Sequence, residues 1–115
     1  MIRRNEECTV ETRDAMRNGP GSVKITNIAD KAELLNKSRM FGEIVLEPNC
    51  GIGLHEHKNE SEIFYITEGE AIYNDNGTEN PVKAGDVTIC PSGESHAITN
   101  VSDKVCRLIA LIVLE

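Results

Sequence analysis

The chain has 115 residues, 39% of them hydrophobic but only 3% aromatic and with no Trp, which allows one domain whose core is built from Ile, Val, Leu and Ala. Charge is uneven: residues 1–40 hold eight basic and six acidic side chains, while residues 41–115 hold four and thirteen. The acidic second part would repel a nucleic acid or an anionic membrane surface, the longest apolar run, Leu108 to Leu114, is too short to span a bilayer, and Met1 to Glu6 has no apolar signal segment, so a soluble, cytoplasmic protein is expected.

Along the chain the signals are mostly β. Cys8 to Thr12 alternates enough for a short strand, and Asp14 to Asn18 suits a helical turn stopped by Gly19-Pro20-Gly21. Arg3, Arg4, Arg13 and Arg17 make this lead segment basic; they are either solvated or laid across the acidic remainder of the chain or of a second subunit. Val23 and Ile25 alternate with polar residues in the next strand. Asp30-Lys31-Ala32-Glu33 has the spacing of a capping box, which predicts a brief helix over Lys31 to Leu35. Phe41 to Glu47 reads as a strand ended by Pro48.

His55 and His57 stand two residues apart, so a strand presents both imidazoles on one face while Glu56 points away. The polar stretch Lys58 to Ser61 predicts a chain reversal, with the next strand carrying Glu62 and pairing back as a hairpin. Glu70 to Asn74 and Thr78 to Val82 flank Asp75-Asn76-Gly77, a strong hairpin signal. Asp86 to Cys90, His96 to Thr99 and Val105 to Leu114 complete the set. Many short strands closed by Gly, Pro and Asn turns indicate a sandwich or jelly roll.

All three histidines of the chain fall in two blocks that also contain Glu62, with His96 arriving from a distant strand. Imidazole and carboxylate together suit divalent Fe, Mn, Ni, Cu or Zn, and four side chains leave an octahedral ion two open positions. Gathering four such polar groups in a barrel interior without an ion would carry a large desolvation cost. The cysteines Cys8, Cys50, Cys90 and Cys106 show no C-x-x-C pair and read as plain thiols, although Cys50 and Cys90 flank the blocks and are candidates for an additional ligand.

The two blocks resemble the paired motifs of the cupin superfamily. The second matches throughout, at Gly85, Pro91, Gly93, His96 and Asn100. The first matches at His55, His57, Glu62 and Gly69 and departs once, where Asn49 replaces the usual glycine; Asn is the residue that best tolerates a left-handed turn after Gly. The resemblance implies an all-β, double-stranded β-helix jelly-roll barrel with a short N-terminal extension. Residues 1–40 would then supply N-terminal strands and a short helix packing on the barrel, and residues 41–115 the barrel with both motifs, one domain overall. It also implies one divalent metal held by His55, His57, Glu62 and His96. Strand parity puts Glu62, Phe64 and Ile66 on one face and His96 with Ile98 on the facing strand, so Phe64 and Ile98 would wall a substrate pocket. Phe41 and Glu43, on the strand entering the first motif, are further pocket candidates. Tyr73 reads as a strand-packing residue, and Asn100 as a turn residue.

Cupins host dioxygenases, decarboxylases, isomerases and lyases as well as binding and sensing modules, and the fold does not choose among them. The leading expectation is a metal-dependent enzyme acting on a carboxylate, diketone or sugar-like molecule; the alternative is a non-enzymatic small-molecule or sugar-binding module. Small cupins commonly form dimers, and the N-terminal extension and the apolar last strand suit a homodimer.

Overall fold

Alternating apolar and polar residues set out ten strands in this computed structural model, which describes residues 1–115. They are β1 (Thr9–Asp14), β2 (Ser22–Ala29), β3 (Met40–Leu46), β4 (Gly51–Glu56), β5 (Glu60–Glu68), β6 (Glu70–Asp75), β7 (Thr78–Lys83), β8 (Val87–Cys90), β9 (Ser95–Thr99) and β10 (Cys106–Leu114). They form two antiparallel sheets, β1-β2-β3-β10-β5-β8 and β4-β9-β6-β7, packed face to face as the expected jelly roll. The apolar core lies between them. The six-stranded sheet contributes Val23, Ile25, Ile44, Leu46, Phe64, Ile66, Leu108 and Ala110, and the four-stranded sheet contributes Ile52, Ala71, Tyr73 and Ile98. No helix is long and apolar enough to cross a membrane.

The N-terminal segment extends the larger sheet: β2 pairs with β3 and places Val23 and Ile25 in the common core. Of its arginines, Arg3 pairs with Glu33 at 2.7 Å and Arg13 with Glu11 at 3.1 Å, both within the N-terminal segment. The β6–β7 hairpin turns at Asn76 and Gly77, both at positive φ, with Asp75 opposite Thr78. Asn49 takes the left-handed conformation, φ 65°, that its glycine-like position requires. Asn100 is fully buried and ties the ends of strands together, donating to the carbonyls of Leu46 and Lys104 and accepting from Ser102.

Two local expectations are corrected. The capping box at Asp30 and Glu33 does form, each backbone N–H donating to the other's carboxylate at 3.0 and 2.7 Å, yet it opens only a turn, not a helix. Leu35 and Asn36 both adopt left-handed φ, 57° and 58°, and end the winding at once. The β4–β5 hairpin does not exist: β4 pairs with β9, and β5 pairs with β10 and β8 in the opposite sheet. The intervening corner therefore crosses the sandwich. It is pinned to the β8–β9 loop, where His57 N–H donates to Glu94, Gly93 N–H donates to His57 and Asn59 N–H donates to Ser92 Oγ.

Candidate metal centre

Strand β4 delivers His55 through a bulge. Ile52 sits opposite Ile98 and His55 opposite His96, so three residues on β4 span two on β9. The extra residue changes the parity of the strand, and Ile52 and His55 both turn inward although they are an odd number apart. His57 follows at the corner, buried. Across the sandwich, β5 points Glu62 inward in register with Cys90 of β8 and Ile112 of β10, and β9 supplies His96.

The four side chains converge: one ligand atom from each of His55, His57, Glu62 and His96 lies within 4.8 Å of the other three. His57 Nε2 is 3.1 Å from His55 Nε2, 3.0 Å from His96 Nε2 and 3.1 Å from Glu62 Oε1, and His96 Nε2 is 2.9 Å from the same oxygen. The opposite edge of each ring is already engaged. His55 Nδ1 is 2.7 Å from the carbonyl of Gly53, which can only accept, so Nδ1 carries the proton and Nε2 the lone pair. His57 Nδ1 likewise carries a proton, donated to the Glu60 carboxylate at 2.6 Å, while its Nε2 faces Glu62. His96 Nδ1 meets the phenol oxygen of Tyr73 at 2.8 Å. Three Nε2 atoms and a carboxylate oxygen thus face one small space, the donor set that a divalent cation fits.

Electrostatics follow the geometry. Burial pushes the Glu62 carboxyl up, but the imidazoles of His55, His57 and His96 outweigh it and hold the group well below the usual carboxylate range. His57 is raised, chiefly by Glu62 and against its own burial, with Glu60 adding to the effect. His96 is lowered because burial disfavours its charged form. The Arg39 guanidinium holds Glu60 down at about 2, against burial and with help from His57. Burial pushes the Tyr73 phenol up to about 12.

Of the anticipated pocket residues, Phe64 and Ile98 lie in the core beside the cluster, and the Phe64 ring stacks on His96 with centroids 5.0 Å apart. Phe41 and Glu43 do not reach it. On β3 the inward residues are Gly42, Ile44 and Leu46, and the period of two turns Phe41 and Glu43 to the outer face, where Glu43 is 3.4 Å from Arg107. Neither flanking cysteine joins the cluster: Cys50 packs near Gly21, and the Cys90 thiol points toward the carbonyl of Glu94. The larger surface clefts are lined by residues other than these four.

Residues 42–112 match the family described as Cupin domain. The chain is a cupin. Over 114 residues, 99% of this chain and 94% of the relative, it is 41% identical to a protein of Thermotoga maritima named oxalate-binding protein. A solved structure from Thermotoga maritima described as a predicted oxalate decarboxylase superposes with a TM-score of 0.95 at 41% identity, covering all of both chains. The polyketide cyclase RemF of Streptomyces resistomycificus shares the fold at 19% identity, with a TM-score of 0.78 over 100% of this chain and 81% of that one.

Four contributors to this cupin's centre were not foreseen from sequence: Gly53, Glu60, Arg39 and Tyr73. Glu60 had a usable signal, since a carboxylate three residues after a histidine on a tight corner can fold back onto its ring. Tyr73 is inward on β6 by parity, but nothing local to it indicates that its hydroxyl reaches diagonally to His96, which pairs with Asp75.

Proposed function

We propose that this cupin binds one divalent transition metal, Fe, Mn, Ni, Cu or Zn, through His55, His57, Glu62 and His96, and that its ligand is a small carboxylate of the oxalate class. The observation that carries the metal assignment is the facing of the Nε2 atoms at 3.0–3.1 Å while the Nδ1 atoms are occupied elsewhere. Without a cation the Glu62 oxygen at 2.9–3.1 Å draws protons onto the Nε2 atoms of His57 and His96; a cation takes the place of those protons and makes every Nε2 a donor. When bound, the ion supplies a Lewis-acidic centre of net positive charge, because three neutral imidazoles and one carboxylate cancel only one of its two charges. A dianion that offers two oxygens meets that charge best, and the name of the Thermotoga maritima relative supports the same class.

Binding is favoured over turnover by the side chains around the cluster. Phe64, Ile98, Ile52 and Ile112 are apolar, and the nearby acidic protons belong to Tyr73 and Cys90, which burial pushes up to about 12 and about 11. Neither group is matched to proton transfer near neutral pH. The second reading, a metal-dependent enzyme of the decarboxylase, isomerase or dioxygenase type, uses the same four residues and is supported by the description of the solved Thermotoga maritima structure. Four free cysteines also suit a reducing compartment such as the cytoplasm.

The test is elemental analysis of the purified protein, followed by calorimetric titration of oxalate into the metal-loaded form with carbon dioxide and formate monitored in parallel. Near-stoichiometric metal and saturable oxalate binding without product support the binding reading. Product formation would move the conclusion to the enzyme, and a protein that refuses metal would overturn both.

The reading includes a homodimer built on the outer face of the six-stranded sheet. There Phe41 of β3, Leu111 and Ile109 of β10, and Ile63 and Tyr65 of β5 form an apolar strip bordered by Glu43 and extended by the exposed Val87 and Ile89 of β8. The partner such a strip fits is itself apolar, and a second copy related by a twofold axis presents the same surface.

A further inference from the structure

Three candidates outside the four ligands have some chemical character. The cleft between Glu70, Lys83, Asp103 and Lys104 is lined by solvated charges of both signs. A second cleft, between β6–β7 and β8, has Tyr73 and Thr88 in its wall. The third, at the β4–β5 corner, is the ion pair of Arg39 and Glu60, and its geometry is the most developed.

Arg39 precedes β3, and Glu60 opens β5. The guanidinium grips the carboxylate with two parallel bonds, Nε to Oε1 at 2.8 Å and Nη2 to Oε2 at 2.7 Å. Glu60 Oε2 accepts a further bond from His57 Nδ1 at 2.6 Å. Although the Arg39 side chain is 42% exposed, that of Glu60 is only 12% exposed and that of His57 only 2%, so the chain of contacts runs from the surface into the core. Two consequences follow. The carboxylate fixes a His57 proton on Nδ1, leaving Nε2 aimed at the other ligands. The guanidinium occupies both carboxylate oxygens, so Glu60 is held as a support for the ring and kept from becoming a ligand itself.

We propose that Arg39 and Glu60 form a charge-paired brace that fixes the ring orientation and tautomer of His57 and thereby sets the metal affinity of the centre, an inference that rests on the metal-binding reading. Both are positioning residues. Glu60 acts through His57, and Arg39 acts through Glu60.

The experiment combines two readouts on the wild type, Glu60→Gln, Glu60→Ala and Arg39→Gln. The first is the imidazole ¹⁵N spectrum of the metal-free protein, which distinguishes the two tautomers of His57 directly. The second is competition for Co²⁺ against a chromogenic chelator. The wild type is expected to show a proton held on His57 Nδ1, hydrogen-bonded to Glu60. Glu60→Ala should show a mixture and lose about 10- to 100-fold in affinity, the usual effect of removing such a partner. Glu60→Gln keeps a carbonyl acceptor without the charge, so it should retain the tautomer and lose less affinity. Arg39→Gln should fall between the wild type and Glu60→Ala. Unchanged tautomer and affinity within twofold in Glu60→Ala would overturn the brace; if that variant does not fold, wild-type affinity in both Glu60→Gln and Arg39→Gln would do so. A wild type that never takes cobalt from the chelator would sink the metal reading instead, and the ¹⁵N spectra would still decide whether Glu60 fixes the ring.

Discussion

The phenol oxygen of Tyr73 lies 2.8 Å from Nδ1 of His96, while Nε2 of the same ring faces Glu62 at 2.9 Å. For His96 to present a lone pair to a metal, its Nδ1–H must donate to Tyr73, and the Tyr73 hydroxyl must then donate elsewhere. Thr88 Oγ1 is the buried side-chain oxygen without a hydrogen-bond partner, and Thr88 lies beside Tyr73. Metal loading is expected to turn the Tyr73 proton toward Thr88. Tyr73→Phe should therefore weaken metal binding by roughly tenfold and cost about 1 kcal/mol of stability, whereas Thr88→Val should lower metal affinity less. Chelator competition and thermal melts of the two variants check this ordering; a Tyr73→Phe protein with wild-type affinity would refute it.

The two motifs were enough to anticipate the four convergent side chains, although a bulge turns His55 inward and His57 lies past the end of β4, so strand parity alone does not explain their direction. Parity was less informative still where both faces of a strand are apolar. On β3, Phe41 and Val45 look outward and Ile44 and Leu46 inward, and the inward Gly42 has no side chain to mark its face. Alternation cannot choose a face there, and the fold turns Phe41 and Glu43 outward, away from the cluster they were candidates to line. The cross-sheet corner after β4 has the same composition as a hairpin turn; what distinguishes it is its bonding to Gly93 and Glu94, far along the chain. The capping box at Asp30 and Glu33 specified how a helix would begin and carried no information about its length.

Gly53 ties packing to the centre. Its carbonyl accepts the Nδ1–H of His55 at 2.7 Å, and its α-carbon is so close to the turn before β2 that an added Cβ would run into the carbonyl oxygen of Arg17. Backbone cannot yield as a side-chain tip can. Gly53→Ala is expected to cost about 2–3 kcal/mol and, by shifting the carbonyl, to weaken metal binding as well. An alanine at the open turn position Gly77, where nothing crowds a Cβ, should leave metal affinity unchanged although its φ of 105° strains the hairpin. Denaturant melts and cobalt titration of the pair separate the two effects, and equal affinities would show that the Gly53 carbonyl does not matter to His55.

The buried thiols give the fold an alkaline limit. Burial pushes Cys90 and Cys106 up from an ordinary value near 9 to about 11, and Tyr73 up from 10 to about 12. Between the unfolded and folded values the native protein holds more protons than the unfolded chain, so stability falls as pH rises. It is fully present below about pH 9 and is lost progressively from there to about pH 11, with Tyr73 extending the decline toward 12. A drop of several degrees in Tm across that window is expected. Cys106→Ala should start from a lower Tm, because it opens a cavity, yet show a shallower decline. Melts of the metal-free protein at intervals from pH 8 to 11 test this; equal slopes for the wild type and the variant would remove Cys106 as a source.

The outer strip makes the oligomeric state a sharp test of how the apolar surface is used. Tyr65 is 48% exposed, Val87 57% and Ile89 59%, and they stand side by side, with Tyr65 opposite Val87 and Ile63 opposite Ile89. Arg107, within 3.4 Å of Glu43 and 3.5 Å of Glu68, caps one end of the strip with charges that are already paired. The wild type is expected to sediment at about twice its 12.7 kDa chain mass at micromolar concentration. Tyr65→Glu combined with Ile89→Glu puts like charges on both sides of a twofold contact and should give a folded monomer, since neither side chain belongs to the core. Metal affinity should survive the change, because Glu62 points to the inner face of this sheet and the three histidines lie on the opposite sheet and its corner. A wild type that sediments as a monomer would show that the strip serves a different partner or stays in water.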